Sequence, residues 1–315
     1  MIIVASKPGE LGNRLFVFAN FIAGVLDYKF KLANPAFDEY AKYFPQTNQD
    51  LFCRYPARRS FLKPSASLRK LLYKTTYVIG RVLAKSGIKS KRLQTITLDW
   101  DDVCELSGPN FESLLRSPQL IFMQGWKFRS QDGLIRHAAP IREFFEPLPE
   151  HRANVTRVME QARHDTDVLV GVHIRDGIKN FANVRHFWNP PEKYAEMISQ
   201  VQDFFPGKRV TFLICSDVKQ DPEVFSRYRF FNGPGHLVED LYALAECDYM
   251  FGPPSTFTLW ASYIGEVPLK FVLDSSQPLR LDEFVLTGAG DNDPLKFDPH
   301  AKTAAAASDS TQFAL

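Results

Sequence analysis

The sequence predicts an α/β fold built on a parallel, doubly wound sheet, and three observations lead there. Between residues 168 and 273, apolar runs of strand length alternate with amphipathic patterns of helical length. The strand-like runs lead into loops carrying Gly, Pro, Ser, Asp or Arg, the residue types that suit ligand binding at the carboxyl ends of strands. At 315 residues, the chain exceeds the size at which a single core usually stops growing, which implies two domains.

Taken in order, residues 2–6 read as a strand, 7–12 as a glycine-bearing turn and 13–27 as a helix, with Leu15, Phe18, Ala19, Ile22 and Leu26 on one face. From 29 to about 153 the pattern is irregular and rich in proline, and 119–124 is the clearest further strand. The second half alternates cleanly: strand 168–174, helix 191–204, strand 210–215, helix 238–246, strand 248–251, helix 255–264 and strand 269–273. This gives an N-terminal domain over 1–153 and a C-terminal Rossmann-like domain over 154–287. A small, polar tail over 288–315 is expected to be mobile.

With 45% hydrophobic and 23% charged residues, the chain falls among soluble globular proteins and outside disordered or collagenous ones. Its apolar runs are too short for a membrane span or a secretory signal. Cys53, Cys104, Cys215 and Cys247 fit neither a zinc motif nor a small disulfide framework. They read as reduced and buried, in a cytoplasmic protein.

The net charge of +2 conceals an asymmetry, because no acidic residue lies between Asp50 and Asp99. Residues 54–92 hold twelve Lys and Arg, so this segment carries +12 and the remainder −10. Within it Leu68, Leu71, Leu72, Val78, Ile79, Val82 and Leu83 recur at helical spacing among the basic residues. One reading is a surface helix whose apolar stripe packs inward and whose charges are solvated. The other is peripheral contact with an anionic membrane surface or a lipid-linked anionic substrate. No nucleic-acid-binding motif accompanies the charge, so nucleic acid is not an expected partner.

Three loops after strands carry candidate chemistry. In VGVHIRDGIKNF, His173 and Arg175 are two apart and point the same way. The planar guanidinium of Arg175 suits phosphate, or else a structural ion pair with Asp176 or another carboxylate. Ser216 and Asp217 follow VTFLIC, where the carboxylate would accept from a base or ribose hydroxyl, or cap a helical turn. In GPPSTFTLW, Ser255 opens a helix whose free amides form an anion site, or it is a plain N-cap. At the N-terminus GELGNR, with Gly9, Glu10, Gly12, Asn13 and Arg14, repeats this logic but is neither a Walker loop nor GxGxxG. Asp99, Asp101 and Asp102 contain a DxD spacing, but such triples are frequent on surfaces and no metal site is assigned there. No GxSxG nucleophile elbow supports hydrolase chemistry.

In order, GELGNRLFVFAN, VHIRDG, ICSD and EDLYALAECDYMFGPPSTFTLWAS resemble the α1,2-fucosyltransferase family, and more widely the superfamily it shares with α1,6- and protein O-fucosyltransferases. The usual forms there are a GGLGNQ-like loop, HxRRGDY, a strand ending in SD, and EDLxLMSxC before a helix opening S-S-F. The resemblance spans residues 9–264. It implies a GT-B-like fold, two Rossmann-like domains facing across a cleft. It also implies transfer of fucose from GDP-fucose to a glycan hydroxyl with inversion, no metal or other cofactor, and a donor held mainly by the C-terminal domain.

Carried across residue by residue, the resemblance makes Arg175 the clamp on the donor pyrophosphate and places His173 near guanine or phosphate. Asp217, beside Ser216, corresponds to the acidic residue that recognises the nucleoside, and Ser255, Thr256 and Phe257 to the segment holding phosphate and base. Gly9, Gly12 and Asn13 match the loop that closes on diphosphate or sugar. One departure stands out: HxRRGD reads HIRDGI here, so Asp176 replaces the second arginine and Ile178 the aspartate. Asp176, Glu10 and His173 remain the candidates for taking the acceptor's proton. Combined with the basic segment, the resemblance suits an acceptor carried on a polyprenyl diphosphate at the inner face of the membrane. Another nucleotide sugar is an alternative donor, and a catalytically idle GDP-sugar-binding or membrane-surface protein an alternative function.

Overall fold

The computed structural model describes residues 1–86, 92–99, 101–116, 119–180 and 184–288. Lys89, Lys91, Trp100 and the tail beyond Gly288 lie outside the described residues. The chain divides into two compact units, Met1–Leu148 and a second that starts at Pro149.

The first unit opens with β1 (Ile2–Val4), α1 (Leu11–Tyr28) and β2 (Leu32–Ala33), then a short α2 (Pro45–Asn48) and β3 (Arg54–Tyr55). The long basic helix α3 (Ala66–Ser86) leads to β4 (Leu93–Thr97), β5 (Cys104–Glu105), α4 (Gly108–Leu115) and β6 (Leu120–Gln124). β7 (Phe128–Arg129), α5 (Gln131–Arg136) and α6 (Ala138–Phe144) close the unit. Its main sheet has the order β3-β2-β1-β6-β4, parallel except for the edge strand β3. α1 is buried over most of its length, and Phe18 on it meets Phe37, Phe144 and Phe145 edge-on at 5.3–5.5 Å. Such pairs add roughly 0.5–1.5 kcal/mol each beyond area burial.

Helix α3 turns its apolar stripe only partly inward, with Leu68, Leu72 and Leu83 half-buried. Its buried positions are Arg69, Thr76 and Gly80, while Leu71, Val78 and Val82 are 61%, 56% and 60% exposed. The packed face is selected by backbone needs: Arg69 donates to the carbonyls of Thr47, Asn48 and Asp50 at 2.7–2.8 Å, satisfying the end of α2. Arg54 is likewise taken up by the fold, paired with the buried Asp50 at 2.8 Å. These two cations are structural and do not belong to the solvent-facing basic surface.

The second unit runs α7 (Pro149–Arg163), β8 (Val168–Ile174), α8 (Pro191–Asp203), β9 (Val210–Ser216) and β10 (Phe230–Asn232). α9 (Leu237–Leu244), β11 (Tyr249–Gly252), α10 (Thr256–Gly265) and β12 (Leu269–Phe271) follow. The division falls ahead of residue 153 because α7, from its first residue, belongs to the unit that contains β8 and α9. All five strands are parallel, in the order β10-β9-β8-β11-β12. Counted within the unit this is 3-2-1-4-5, the Rossmann order, and its direction reverses between β8 and β11.

Packing explains why β8 reads so clearly in sequence. Val170, Val172 and Ile174 join a core with Tyr194, Met197, Ile198 and Val201 of α8, which recur at three- and four-residue spacing. Each of these side chains contributes about 1.5–3 kcal/mol through burial. The alternate residues Leu169, Gly171 and His173 point to the opposite face, so His173 is carried into the sheet's other side by strand alternation alone.

Candidate functional site

The crevice expected of a Rossmann sheet lies at the carboxyl ends of β8 and β11, where the strand order reverses. His173 is the penultimate residue of β8, 6% exposed, and its ring stacks on Phe257 of α10 at 5.1 Å and 28°. Gly252, the last residue of β11, permits this: a Cβ there would stand 2.6 Å from the His173 carbonyl oxygen. Burial, aided by the adjacent Arg175 charge, lowers the imidazole pKa to about 3. His173 is therefore neutral at physiological pH and a poor proton acceptor in the Brønsted sense. Its Nδ1 is buried and has no hydrogen-bond partner among the described residues. A buried ring nitrogen without a partner among the described residues is a hydrogen-bonding group open to a ligand.

Arg175 follows directly after β8 and is half-buried. Its guanidinium makes no side-chain hydrogen bond and no ion pair among the described residues. The alternative of a structural pair with Asp176 is not what forms. Asp176 instead accepts the indole N–H of Trp188 at 2.9 Å. The Arg175 loop is fixed from below by Asp217, whose two carboxylate oxygens accept the backbone amides of Asp176 and Gly177 at 2.8 and 3.1 Å. Asp217 thus positions the loop through its backbone. Ser216 Oγ accepts from the Val218 amide at 3.2 Å and from Gln220 Nε2 at 3.1 Å, which closes the turn after β9.

Across the switch point, α10 presents its N-terminus at the same edge of the sheet. Ser255 is an N-cap in extended conformation whose Oγ accepts the Phe257 amide at 3.2 Å. Capping and anion binding are not exclusive here, because one hydroxyl satisfies only one of the helix's free amides. Thr256 and Phe257 are partly exposed on that first turn, and Phe257 forms the stack with His173. The second unit therefore gathers a neutral imidazole, a guanidinium unpaired among the described residues, an aromatic face and a helix N-terminus at one strand-end crevice. That set suits a ligand with a planar base and a diphosphate.

The loop after β1 has another character. Gly9 adopts φ +51°, and a Cβ there would collide with Asn13. Glu10 occupies the N-cap of α1 without capping it, and its Oε2 accepts the Tyr40 hydroxyl at 2.9 Å. Gly12 is buried in the first turn of α1, and Asn13 is half-buried one residue on. Arg14, buried, donates to the Gly9 carbonyl at 3.0 Å and pairs with Glu39 at 2.7 Å, while Lys7 pairs with Asp38 at 2.7 Å. Burial raises the Glu39 carboxyl pKa, but hydrogen bonds from Lys7 and Arg14 outweigh that and leave it below its ordinary value. Burial and the bond to Glu10 push the Tyr40 hydroxyl up. In the acidic triple, Asp102 closes a local turn by accepting the Asp99 amide at 2.7 Å.

Sequence reasoning missed Trp188, Tyr40 and the Lys7–Arg14–Asp38–Glu39 network. Their partners lie 12 to 32 positions away, and no local pattern marks them. The buried state of all four cysteines, in contrast, agrees with expectation, and all are free.

No family model matches the chain, and no curated protein matches it by sequence. Solved structures do. A mutant of Arabidopsis thaliana FUT1 in complex with GDP aligns with a TM-score of 0.55 at 15% identity, over 86% of this chain and 70% of that one. NodZ α1,6-fucosyltransferase of Bradyrhizobium, soaked with GDP-fucose, aligns with a TM-score of 0.51 at 14% identity, over 88% of this chain and 96% of that one. The chain shares their fold. The α/β, GT-B-like class expected from the motifs is thereby established, while identities this low leave linkage and substrate open.

Proposed function

We propose that this chain is an inverting glycosyltransferase that moves fucose from GDP-fucose to a glycan hydroxyl, with no metal in the transfer step and an α1,2-type linkage. The observation that carries the reading is Arg175, a half-buried guanidinium at the switch point of a Rossmann sheet, beside His173 Nδ1, both without a partner among the described residues. Of the solved structures that share the fold, the FUT1 mutant was determined in complex with GDP and the NodZ fucosyltransferase after soaking with GDP-fucose, which agrees with that ligand chemistry.

In this reading, Arg175 and the α10 amides meet the diphosphate as it departs with growing negative charge, the largest electrostatic demand of the reaction. His173, neutral, offers its lone pair to a donor on the nucleotide, and Phe257 gives the base an aromatic surface. The acceptor hydroxyl sheds its proton late, once the ring has oxocarbenium character, so a weak base suffices. Asp176, the carboxylate next to the clamp, takes that role. Asp217 holds the loop in register by its two amide contacts.

The test is calorimetric titration of the full chain with GDP, GDP-fucose, GDP-mannose and UDP-glucose in EDTA. Binding of GDP and GDP-fucose above the others is the expected result. Equal binding of GDP-mannose would change the sugar, and absence of guanine-nucleotide binding would overturn the reading.

We also infer that the basic segment 54–92 meets an anionic lipid surface at the inner face of the membrane, where a lipid-linked acceptor would be found. Leu71, Val78, Ile79 and Val82 are exposed on α3, and Lys70, Lys74, Arg81 and Lys85 flank them. No helix among the described residues is long and apolar enough to cross a membrane, so the contact would be peripheral. Each surface cation adds about 1 kcal/mol near anionic lipid. Flotation with phosphatidylglycerol vesicles should carry the chain at low salt and fail when those four cations become Glu. Equal flotation of both would remove the inference.

A further inference from the structure

Away from the strand-end crevice, two imidazoles and a carboxylate meet where α7 packs on α9. His151 stands in the first turn of α7, His236 is the N-cap of α9, and Glu239 lies in the first turn of α9. Glu239 is buried and both histidines are half-buried. Glu239 Oε1 is 2.8 Å from His151 Nδ1 and 3.9 Å from His236 Nδ1, so one oxygen faces both rings. The rings are stacked, with centroids 4.7 Å apart and planes 12° from parallel. One donor atom from each residue lies within 4.8 Å of the other two.

We propose that His151, His236 and Glu239 bind one divalent transition-metal ion, zinc above all. Bonds of about 2.0–2.1 Å in a tetrahedral zinc site set neighbouring donors roughly 3.3 Å apart, and the two oxygen–nitrogen separations bracket that spacing. Two imidazole nitrogens with one carboxylate oxygen form a borderline-soft set that favours zinc over magnesium or calcium, which take oxygen ligands. Asn154 Nδ2 donates to Glu239 Oε1 at 2.8 Å and orients the carboxylate. The neighbouring cation is already engaged elsewhere: Arg152 pairs with Glu246 at 2.6 Å and lies over the Tyr242 ring. An ion here displaces the proton that His151 and Glu239 share and replaces the long 3.3 Å bond from the Val238 amide to His236 Nδ1. It ties the start of α7 to the start of α9, close to Asp240, whose carboxylate holds the Gly235 amide at 2.8 Å. Three protein ligands leave a fourth position for water. The ion is a staple between two helices of the second unit and takes no part in the transfer at Arg175.

The experiment uses the EDTA-stripped, dialysed full chain, titrated with Zn²⁺ and Mg²⁺ by calorimetry and with Co²⁺ by visible absorption. The parent should bind one Zn²⁺, ignore Mg²⁺, show the intense bands of four-coordinate Co²⁺ and melt higher with Zn²⁺. His151→Gln and His236→Asn should each weaken Zn²⁺ binding at least tenfold and abolish both the cobalt bands and the melting shift. Asn retains a capping acceptor at position 236, and metal-free melting checks that both variants fold. No Zn²⁺ binding by the parent, or equal affinity in both folded variants, would overturn the proposal.

Discussion

The loop after β1 and the loop after β8 occupy equivalent places, each following a central parallel strand, yet their charges are handled in opposite ways. Around Gly9, Lys7 and Arg14 are tied to Asp38 and Glu39, and Glu10 receives the Tyr40 hydroxyl. Around Arg175, the backbone is clasped by Asp217, but among the described residues the guanidinium is unpaired and the buried His173 Nδ1 has no partner. The first network is scaffold: its charges are matched within the unit, although Asp38 Oδ1, 2.7 Å from Lys7 Nζ, is a buried acceptor without a hydrogen bond of good geometry. Rigid backbone combined with unsatisfied side chains marks a place prepared for a ligand, because such groups are costly to bury unless binding completes them.

Exchanging the insult between the two loops gives the largest expected effects. Arg175→Ala removes a side chain with no hydrogen-bond or ion-pair partner among the described residues. Its unfolding free energy should stay within about 0.5 kcal/mol of the parent, while fucose transfer falls on the order of 100-fold or more. Near-normal turnover in a folded Arg175→Ala chain would refute the clamp. Arg14→Ala strips contacts from Gly9 and Glu39 and leaves the buried Asp38 short of positive charge. Urea denaturation should show a loss of about 2 kcal/mol. If Arg14→Ala is as stable as the parent, the contrast between the loops dissolves.

The sequence made the second unit legible because its central strands β8, β9 and β11 are buried on both faces and helix α8 on one. Val168–Ile174 ends where the apolar run ends, and Tyr194, Met197, Ile198 and Val201 follow the helical period. Site residues at strand ends could be found by the same logic, since alternation and topology fix where His173 and Arg175 stand. Helix α3 shows the limit. Its apolar periodicity was visible, but which stripe faces inward depends on Arg69 reaching carbonyls 19 to 22 residues away. Asp217's hold on the Arg175 loop spans 41 positions and the His151–Glu239 contact 88, distances at which no spacing rule operates.

A smaller, pH-resolved effect sharpens the comparison further. His173 has its folded pKa lowered to about 3 by burial and by Arg175, against an ordinary value of 6.5. Between those values the unfolded chain binds a proton that the folded chain does not, so stability rises with pH across the window. The contribution is complete above about pH 6.5 and declines as pH falls, by roughly 1 kcal/mol per unit. Asp240 acts in the other direction: burial raises its carboxyl to about 6, so its folded form gains the proton first and loses that advantage as pH rises. The two trends separate by difference. His173→Phe keeps a ring against Phe257 and leaves Asp240 in place, so the variant should lose less stability than the parent between pH 6.5 and 4.5 in denaturant titrations. Parallel pH profiles for the two chains would mean that His173 titrates freely, and that the crevice at β8 is as satisfied as the loop at Gly9.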